Sequence, residues 1–331
     1  MLIKISNGLD IPISGAPEQR IHDAPGVAHV AVLGQDQRGP KRAPSVLVKE
    51  GERVSLGQPL MRGKRYRKVL TTAPGAGVVE KISYGQRRFA NSICIRLEGD
   101  AEETFTAYRA EDLAGLNRDQ VKENLLASGQ WLALRTRPYT MVPHPDDELA
   151  DLFVTAIDSN PLAPDPQVII GERAEAFGNG LRVLRKLTAG RLYVCTAPGA
   201  DVPIPEDSHA TRAEFAGPHP AGLPGTHIHF LSPVHAGKTV AYVGYQDAIA
   251  IGELFTSGRI STQRVVSLAG PMVPRPRLLR TRLGASIPEL LAGIREDGDA
   301  RGDCRIISGS ILAGHRAVGS LAYLGRFHNQ L

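Results

Sequence analysis

Between residues 149 and 258, apolar runs of strand length alternate with amphipathic runs of helical length. No other feature of the chain constrains its fold as much. "DLFVTAID" (Asp151–Asp158), "RLYVCTAP" (Arg191–Pro198) and "KTVAYVG" (Lys238–Gly244) read as buried strands. "VIIGERAEAFGNGLRVLRKLTAG" (Val168–Gly190) puts Phe177, Leu181, Leu184 and Leu187 on one side of a helix. "QDAIAIGELFTSG" (Gln246–Gly258) is a second helix, closed by Gly258. Parallel strands need crossover connections, so this alternation predicts a parallel sheet with helices on its faces.

The rest of the 331 residues has a different texture, and the whole is too long for one small core. The expected class is α+β multidomain. Residues 1–100 form an N-terminal domain whose short strands over about 45–100 suggest a compact β-sandwich. "VKEGERVSLGQPLM" (Val48–Met61) and "TTAPGAGVVEKI" (Thr71–Ile82) resemble the two halves of a biotinyl or lipoyl carrier domain. Residues 101–140 are a linker and a helix, capped by Asn117 with Gln120 in capping-box position, Val121, Leu125 and Leu126 facing inward and Gly129 ending it. Residues 141–262 are the Rossmann-like α/β domain. Residues 263–314 suggest a β-grasp (ubiquitin-like, SLBB-like) module: strands Arg264–Gly270 and Arg277–Gly284, then a helix with Ser286 as N-cap, Glu289 completing a capping box and Gly293 closing it. Cys304–Gly314 supplies further strands, and 315–331 begins a C-terminal segment.

Composition excludes several function classes. No apolar run is long enough for a membrane span, and Met1–Gly15 lacks a signal-peptide core. A net charge of +5 suits an anionic surface or acidic partner. "GPKRAP" (Gly39–Pro44) and "RGKRYRK" (Arg62–Lys68) are basic, yet no recognition helix or ribonucleoprotein motif accompanies them, so nucleic acid is not expected. Cys94, Cys195 and Cys304 are far apart and read as buried reduced thiols.

Four stretches bear on chemistry. A carrier lysine needs a biotin- or lipoyl-type motif at a hairpin tip; here the position falls near Tyr66, and Lys64 and Lys68 only flank it. A phosphate grip needs glycines where a strand turns into a helix, whereas "GNG" (Gly178–Gly180) lies inside a helical pattern. In "GPHPAGLPGTHIHF" (Gly217–Phe230), an extended 226–230 would aim His227 and His229 at one face, with His219 or His235 nearby. Two such histidines fall short of a zinc set and could serve a quinone, or simply pack a loop. "GYQD" (Gly244–Asp247) ends a strand at a helix N-terminus, and "RTRPY" (Arg135–Tyr139) sets two arginines in a loop near Trp131.

Seven segments together resemble the A subunit of the Na⁺-translocating NADH:quinone oxidoreductase. They are "NGLDIPISGAPEQ", "SGQWLALRTRPY", "FVTAIDSNPLAPDP", "GPHPAGLPGTHIHFLSPV", "GYQDAIAIGELFTSG", "SLAGPMVPRPRLLRTRLGAS" and "YLGRFHNQ". The family is also similar to the flavin-carrying subunit of respiratory complex I and to the C subunit of the Rnf complex. The resemblance implies a peripheral subunit on the cytoplasmic side of a bacterial inner membrane, docked on a membrane subunit, in a complex that passes electrons from NADH to ubiquinone and expels Na⁺.

It further implies that NADH, FAD, FMN, riboflavin and the iron–sulfur centre belong to partner subunits. Ubiquinone is then a candidate substrate of this chain, with no catalytic residue, bound redox cofactor or metal of its own. Candidate quinone-binding residues are His219, His227, His229, Tyr245, Gln246 and Trp131. Candidate docking residues are Lys64, Arg65, Tyr66, Arg135 and Arg137. In the complex I relative a glycine-rich loop grips FMN phosphate; here the matching stretch, Ser128–Tyr139, carries Trp131, Leu132, Ala133 and two arginines. An acidic nicotinamide-side loop is reduced to "DSNP" (Asp158–Pro161). The alternatives are a flavin-dependent NADH dehydrogenase subunit of complex I type and a quinone-free scaffold. Family members continue into a mostly helical C-terminal segment, so the chain is expected to be a piece of a longer protein.

Overall fold

The computed structural model describes residues 1–37, 43–86, 89–295 and 304–331. Positions 39 to 42 of the basic stretch Gly39–Pro44 lie outside them. The chain opens with β1 (Leu2–Lys4), β2 (Glu18–Asp23) and β3 (His29–Leu33). Then come β4 (Ser45–Val46), β5 (Arg53–Val54), β6 (Pro59–Arg62), β7 (Leu70–Thr72), β8 (Gly77–Tyr84) and β9 (Ala90–Leu97). Two sheets, ordered β3-β9-β8-β5 and β4-β6-β7, make the β-sandwich. Side chains that alternate inward bury Val30, Leu60, Met61, Val79, Ile93 and Ile95 together. Each fully buried side chain of this size contributes about 1.5–3 kcal/mol.

Helix α1 (Arg118–Ala127) starts at Asn117, whose side chain accepts from Gln120 N while Gln120 caps Asn117 N, the reciprocal box the sequence predicts. Val121, Leu125 and Leu126 are buried, and Gly129 turns the chain away with φ 72°. A short 3₁₀ turn, Gln130–Ala133, leads into β10 (Arg135–Arg137), so "RTRPY" begins as a strand and not as a loop.

The α/β unit runs β11 (Leu152–Ala156), α2 (Pro166–Glu172), α3 (Ala174–Arg185), β12 (Leu192–Thr196), β13 (Ala210–Ala216), α4 (Pro224–Leu231), β14 (Val240–Gly244) and α5 (Tyr245–Ser257). The sheet order is β1-β13-β12-β11-β14-β10. Its pairs are parallel except β10, which runs antiparallel to β14. The single helix expected over 168–190 is two helices, broken at Arg173 (φ −132°, ψ 39°). The glycines of "GNG" are set by packing, Gly178 against the Pro205 ring and Gly180 against α5. A Cβ on Gly180 would lie 2.0 Å from Ala248 O, and one on Gly252 1.9 Å from Ala176 O, so α3 and α5 cross at backbone contact.

The last unit contains β15 (Gln263–Leu268), β16 (Arg277–Arg282), α6 (Ile287–Arg295), β17 (Ile307–Ser308) and β18 (His315–Arg316). β15 and β16 pair antiparallel, and β2 from the N-terminus adds to β16 in parallel. Helix α6 continues past Gly293. Glu289 does not complete a capping box: its carboxylate instead accepts from the backbone N–H of Ala28 and His29. Cys94 and Cys195 are buried, but Cys304 is exposed, which corrects the reading of three buried thiols. No helix among the described residues is long and apolar enough to cross a membrane.

Candidate functional site

In the sheet order, β11 has β12 on one side and β14 on the other, so the chain reverses its winding direction between β11 and β14. Open α/β sheets bind ligands at the carboxyl ends of the strands at such a point. A crevice of about 170 Å³ lies there, lined by Thr155 within β11, by Asp158 and Asn160 after it, and by Tyr245, Gln246 and Asp247 after β14. Arg264, Arg326, Phe327 and Asn329 close it.

The crevice is held by a buried ionic network. Asp247 pairs with Arg264, both nearly inaccessible, and Arg326 Nη2 reaches Asp247 Oδ1 at 3.3 Å. Arg264 Nη1 donates to Gln246 O at 3.1 Å, and Arg326 Nη2 donates to Gln130 Oε1 at 2.8 Å. Both amide protons of Gln246 are used: Nε2 donates to Val265 O at 2.7 Å and to Asn329 Oδ1 at 3.1 Å, and Oε1 accepts from Val265 N at 2.9 Å. Asp158 Oδ1 accepts from Asn160 N and Nδ2 at 2.9 and 2.7 Å. Burial pushes the Asp158 carboxyl above its usual range, against the pull of those bonds.

Three polar atoms of residues around the crevice, Thr155 Oγ1, Tyr245 Oη and Arg326 Nε, are themselves buried and have no hydrogen-bond partner among the described residues. Tyr245 is only 3% exposed. A larger groove of about 680 Å³, lined by Leu268, Met272, Val273, Leu291, Ile306 and Ile311 among others, contains none of the unpartnered buried atoms.

Of the expected quinone residues, Tyr245 and Gln246 line this crevice, and His219 stands behind it. His219 Nδ1 lies 3.0 Å from Ser159 O and 3.1 Å from Ser159 Oγ. The remaining three are elsewhere. Residues 224–231 are helical, not extended, because Pro224 at the first helical position favours a helix start. His227 and His229, two positions apart on a helix, therefore face different ways. His227 is fully buried over the Phe215 ring at 4.3 Å, with Nε2 bonded to Ala221 O, and burial brings its pKa down to about 4. His229 is exposed.

Trp131 is buried in the main core, its Nε1 donating to Pro143 O at 3.0 Å. Its turn also uses its own amides: Leu132 N bonds Gly129 O and Leu134 N bonds Trp131 O. The buried indole, together with the N–H groups of Leu132 and Leu134 used inside the turn, weighs against a phosphate grip at residues 128–134.

The expected docking residues separate into two groups. Lys64 and Arg65 are exposed on the 63–69 hairpin with Arg67 and Lys68. Tyr66 is half-buried there, its ring meeting His144 edge-on at 4.7 Å. Arg135 is 4% exposed and faces inward; its Nη1 donates to Leu132 O and its guanidinium lies 4.1 Å from the Phe327 ring centroid. Burial brings its pKa down to about 10. Arg137 is half-buried, over Tyr242. Neither arginine presents an open surface charge. Among the described residues no group of three or more His, Cys, Asp or Glu is placed to hold a metal ion. Sequence reasoning missed Arg264, Arg326 and Phe327, which reach the crevice from segments remote in sequence.

Comparison with known proteins matches three family profiles along the chain. They are the NqrA N-terminal barrel-sandwich hybrid domain over residues 3–98, the NqrA second alpha/beta domain over 116–260, and the NQRA C-terminal domain over 265–319. The A subunit of the Na(+)-translocating NADH-quinone reductase of Pseudomonas aeruginosa (strain UCBPP-PA14) is 54% identical over 330 residues, covering 100% of this chain and 72% of the relative. Those of Serratia proteamaculans and Cellvibrio japonicus are 54% and 51% identical over 330 residues, covering 99% and 100% of this chain and 72% of each relative. Among solved structures, an NAD⁺-reducing [NiFe]-hydrogenase aligns at a TM-score of 0.39 and 12% identity over 65% of this chain and 43% of its own, too loosely to bear on function. On the relatives' identity along its whole length, this chain belongs to the NqrA family, the A subunits of Na⁺-translocating NADH-quinone reductases.

Proposed function

We propose that the chain works as a peripheral subunit of a Na⁺-translocating NADH-quinone reductase, on the cytoplasmic side of a bacterial inner membrane. It docks on a membrane partner of the complex and takes part in handling ubiquinone. In this reading NADH, FAD, FMN, riboflavin and the iron–sulfur centre reside in partner subunits. The chain's own share is positional: it binds, orients and docks, and it carries no redox group.

The observation that supports this reading best is the 128–134 turn. Trp131 fills the place where a flavin-carrying relative of complex I type would need open backbone, and the amides of Leu132 and Leu134 are spent inside the turn. That weighs against the flavin-dependent alternative. The docking surface is the hairpin of Lys64, Arg65, Arg67 and Lys68, four exposed cations with no ion-pair partner among the described residues. Reversing two of them, Lys64→Glu with Arg65→Glu, should weaken recovery of the chain with its complex while leaving its unfolding midpoint unchanged. Undiminished recovery at physiological salt would rule the hairpin out as the contact.

A further inference from the structure

We propose that the hairpin joining β6 to β7 meets the phosphates of anionic lipid headgroups, so that the chain touches the bilayer beside its membrane partner. The inference rests on the peripheral-subunit reading and names the chemistry of the surface that the hairpin faces.

The hairpin is a fixed frame. Arg62 and Leu70 pair across its base, Gly63 N donates to Val69 O at 2.9 Å, and Val69 N donates to Tyr66 O at 2.9 Å. Tyr66 packs against the main core and meets His144, and Val69 is buried. With those two turned inward, the exposed side chains are Lys64, Arg65, Arg67 and Lys68.

Charge is what this surface offers. Residues 62–68 hold five cations and no acid. The carboxylates beside His144 are engaged elsewhere: Asp146 Oδ1 lies 3.7 Å from Lys122 Nζ, and Asp147 Oδ2 accepts from His144 N at 3.0 Å. The net charge of +5 includes the four exposed cations, which leaves +1 for the rest of the chain.

A protein contact of useful affinity centres on an aromatic or aliphatic anchor. None of the large exposed apolar side chains lies within 62–68. Cytoplasmic loops of membrane proteins are themselves rich in Lys and Arg, whereas the cytoplasmic leaflet is negative. Charge without an anchor therefore fits headgroup phosphate better than a protein face.

The magnitude sets the role. Each cation near an anionic leaflet strengthens binding about fivefold. Four of them give no more than the marginal, reversible hold of a single acyl chain. At physiological salt lipid alone does not retain the chain; the membrane partner anchors it and the hairpin orients it.

The full chain is sedimented with phosphatidylcholine vesicles, with and without phosphatidylglycerol, at ~0.05 M salt, where charges are less screened than in the cell. Saturable binding to the phosphatidylglycerol vesicles alone is expected, with release at physiological salt. Lys64→Gln with Arg65→Gln should lower the affinity about thirtyfold, and so should Arg67→Gln with Lys68→Gln. Arg191→Gln with Arg275→Gln, two exposed cations elsewhere, should leave it within about twofold. The deficit of Lys64→Glu with Arg65→Glu in joining the complex should appear in membranes and vanish with the complex in neutral detergent.

No binding to phosphatidylglycerol vesicles, or an equal loss in the Arg191 and Arg275 pair, would overturn the contact. A deficit that persists in detergent would put the hairpin on protein, which overturns the lipid inference and leaves the docking reading standing. Displacement by inorganic phosphate at matched ionic strength would replace the bilayer with a fixed anion site. Retention on the vesicles at physiological salt would make lipid the anchor and overturn the orienting role.

Discussion

His29 Nδ1 lies 2.5 Å from Glu289 Oε1, across 260 residues of sequence. His29 opens β3 of the sandwich, and Glu289 belongs to α6 of the last unit. The other ring nitrogen, His29 Nε2, is 3.2 Å from Glu80 Oε2 on β8. The same Glu289 carboxylate accepts from Ala28 N at 2.6 Å and His29 N at 3.1 Å. Backbone bonds Ala31 N to Gly284 O and Ser286 N to His29 O complete the junction. One carboxylate thereby fastens two units.

Glu289→Gln should destabilise the chain by about 1–3 kcal/mol at pH 7, the cost of weakening charge-assisted bonds to partly buried donors. Burial acts to raise the Glu289 pKa, but the bonds from His29 and the Ala28 and His29 amides outweigh it, so the carboxyl titrates below 4.5. A depressed carboxyl stabilises the fold above its unfolded pKa and loses that contribution as pH falls through the folded value. The gap between wild type and variant in urea unfolding should therefore shrink below pH 4.5 and hold steady above it.

Asp247→Asn tests the buried network. The substitution leaves Arg264, 3% exposed, facing Arg326 without a counter-charge. Removing one partner of a buried pair costs about 3–5 kcal/mol. A loss below ~1 kcal/mol in urea unfolding would show that the pair is solvated in solution.

His227 gives the fold a second acid sensitivity. Its pKa is lowered by burial from 6.5 to about 4, so the unfolded chain takes a proton that the folded chain refuses. Stability is full above pH 6.5 and falls as pH drops toward 4, by up to about 3 kcal/mol. His227→Gln should flatten the stability profile between those two values. An unchanged slope would place the acid sensitivity on another group.

The parallel sheet was legible because β11, β12 and β14 are apolar on both faces, as strands buried from two sides must be. β13 was missed because "ATRAEFA" mixes charge with small residues, and only pairing with β12 and β1 makes it a strand. β1 is three residues long, below any periodicity signal. "THIHF" alternates like a strand, but Pro224 and the packing of Ile228 made it a helix. Tyr245 and Gln246 were found because a strand ending at a helix start marks a site locally. Arg264, Arg326 and Phe327 carry no local mark: their role exists only once the chain brings residues 247, 264 and 326 together.

Membership of the complex is tested most directly by sedimenting the purified chain with membranes from bacterial cells that lack the A subunit but retain the other reductase subunits. Saturable binding to those membranes is expected, with recovery of Na⁺-dependent NADH–quinone reductase activity and no binding to membranes lacking the whole complex. Equal binding to both membranes, or none to either, would contradict a docked, peripheral role.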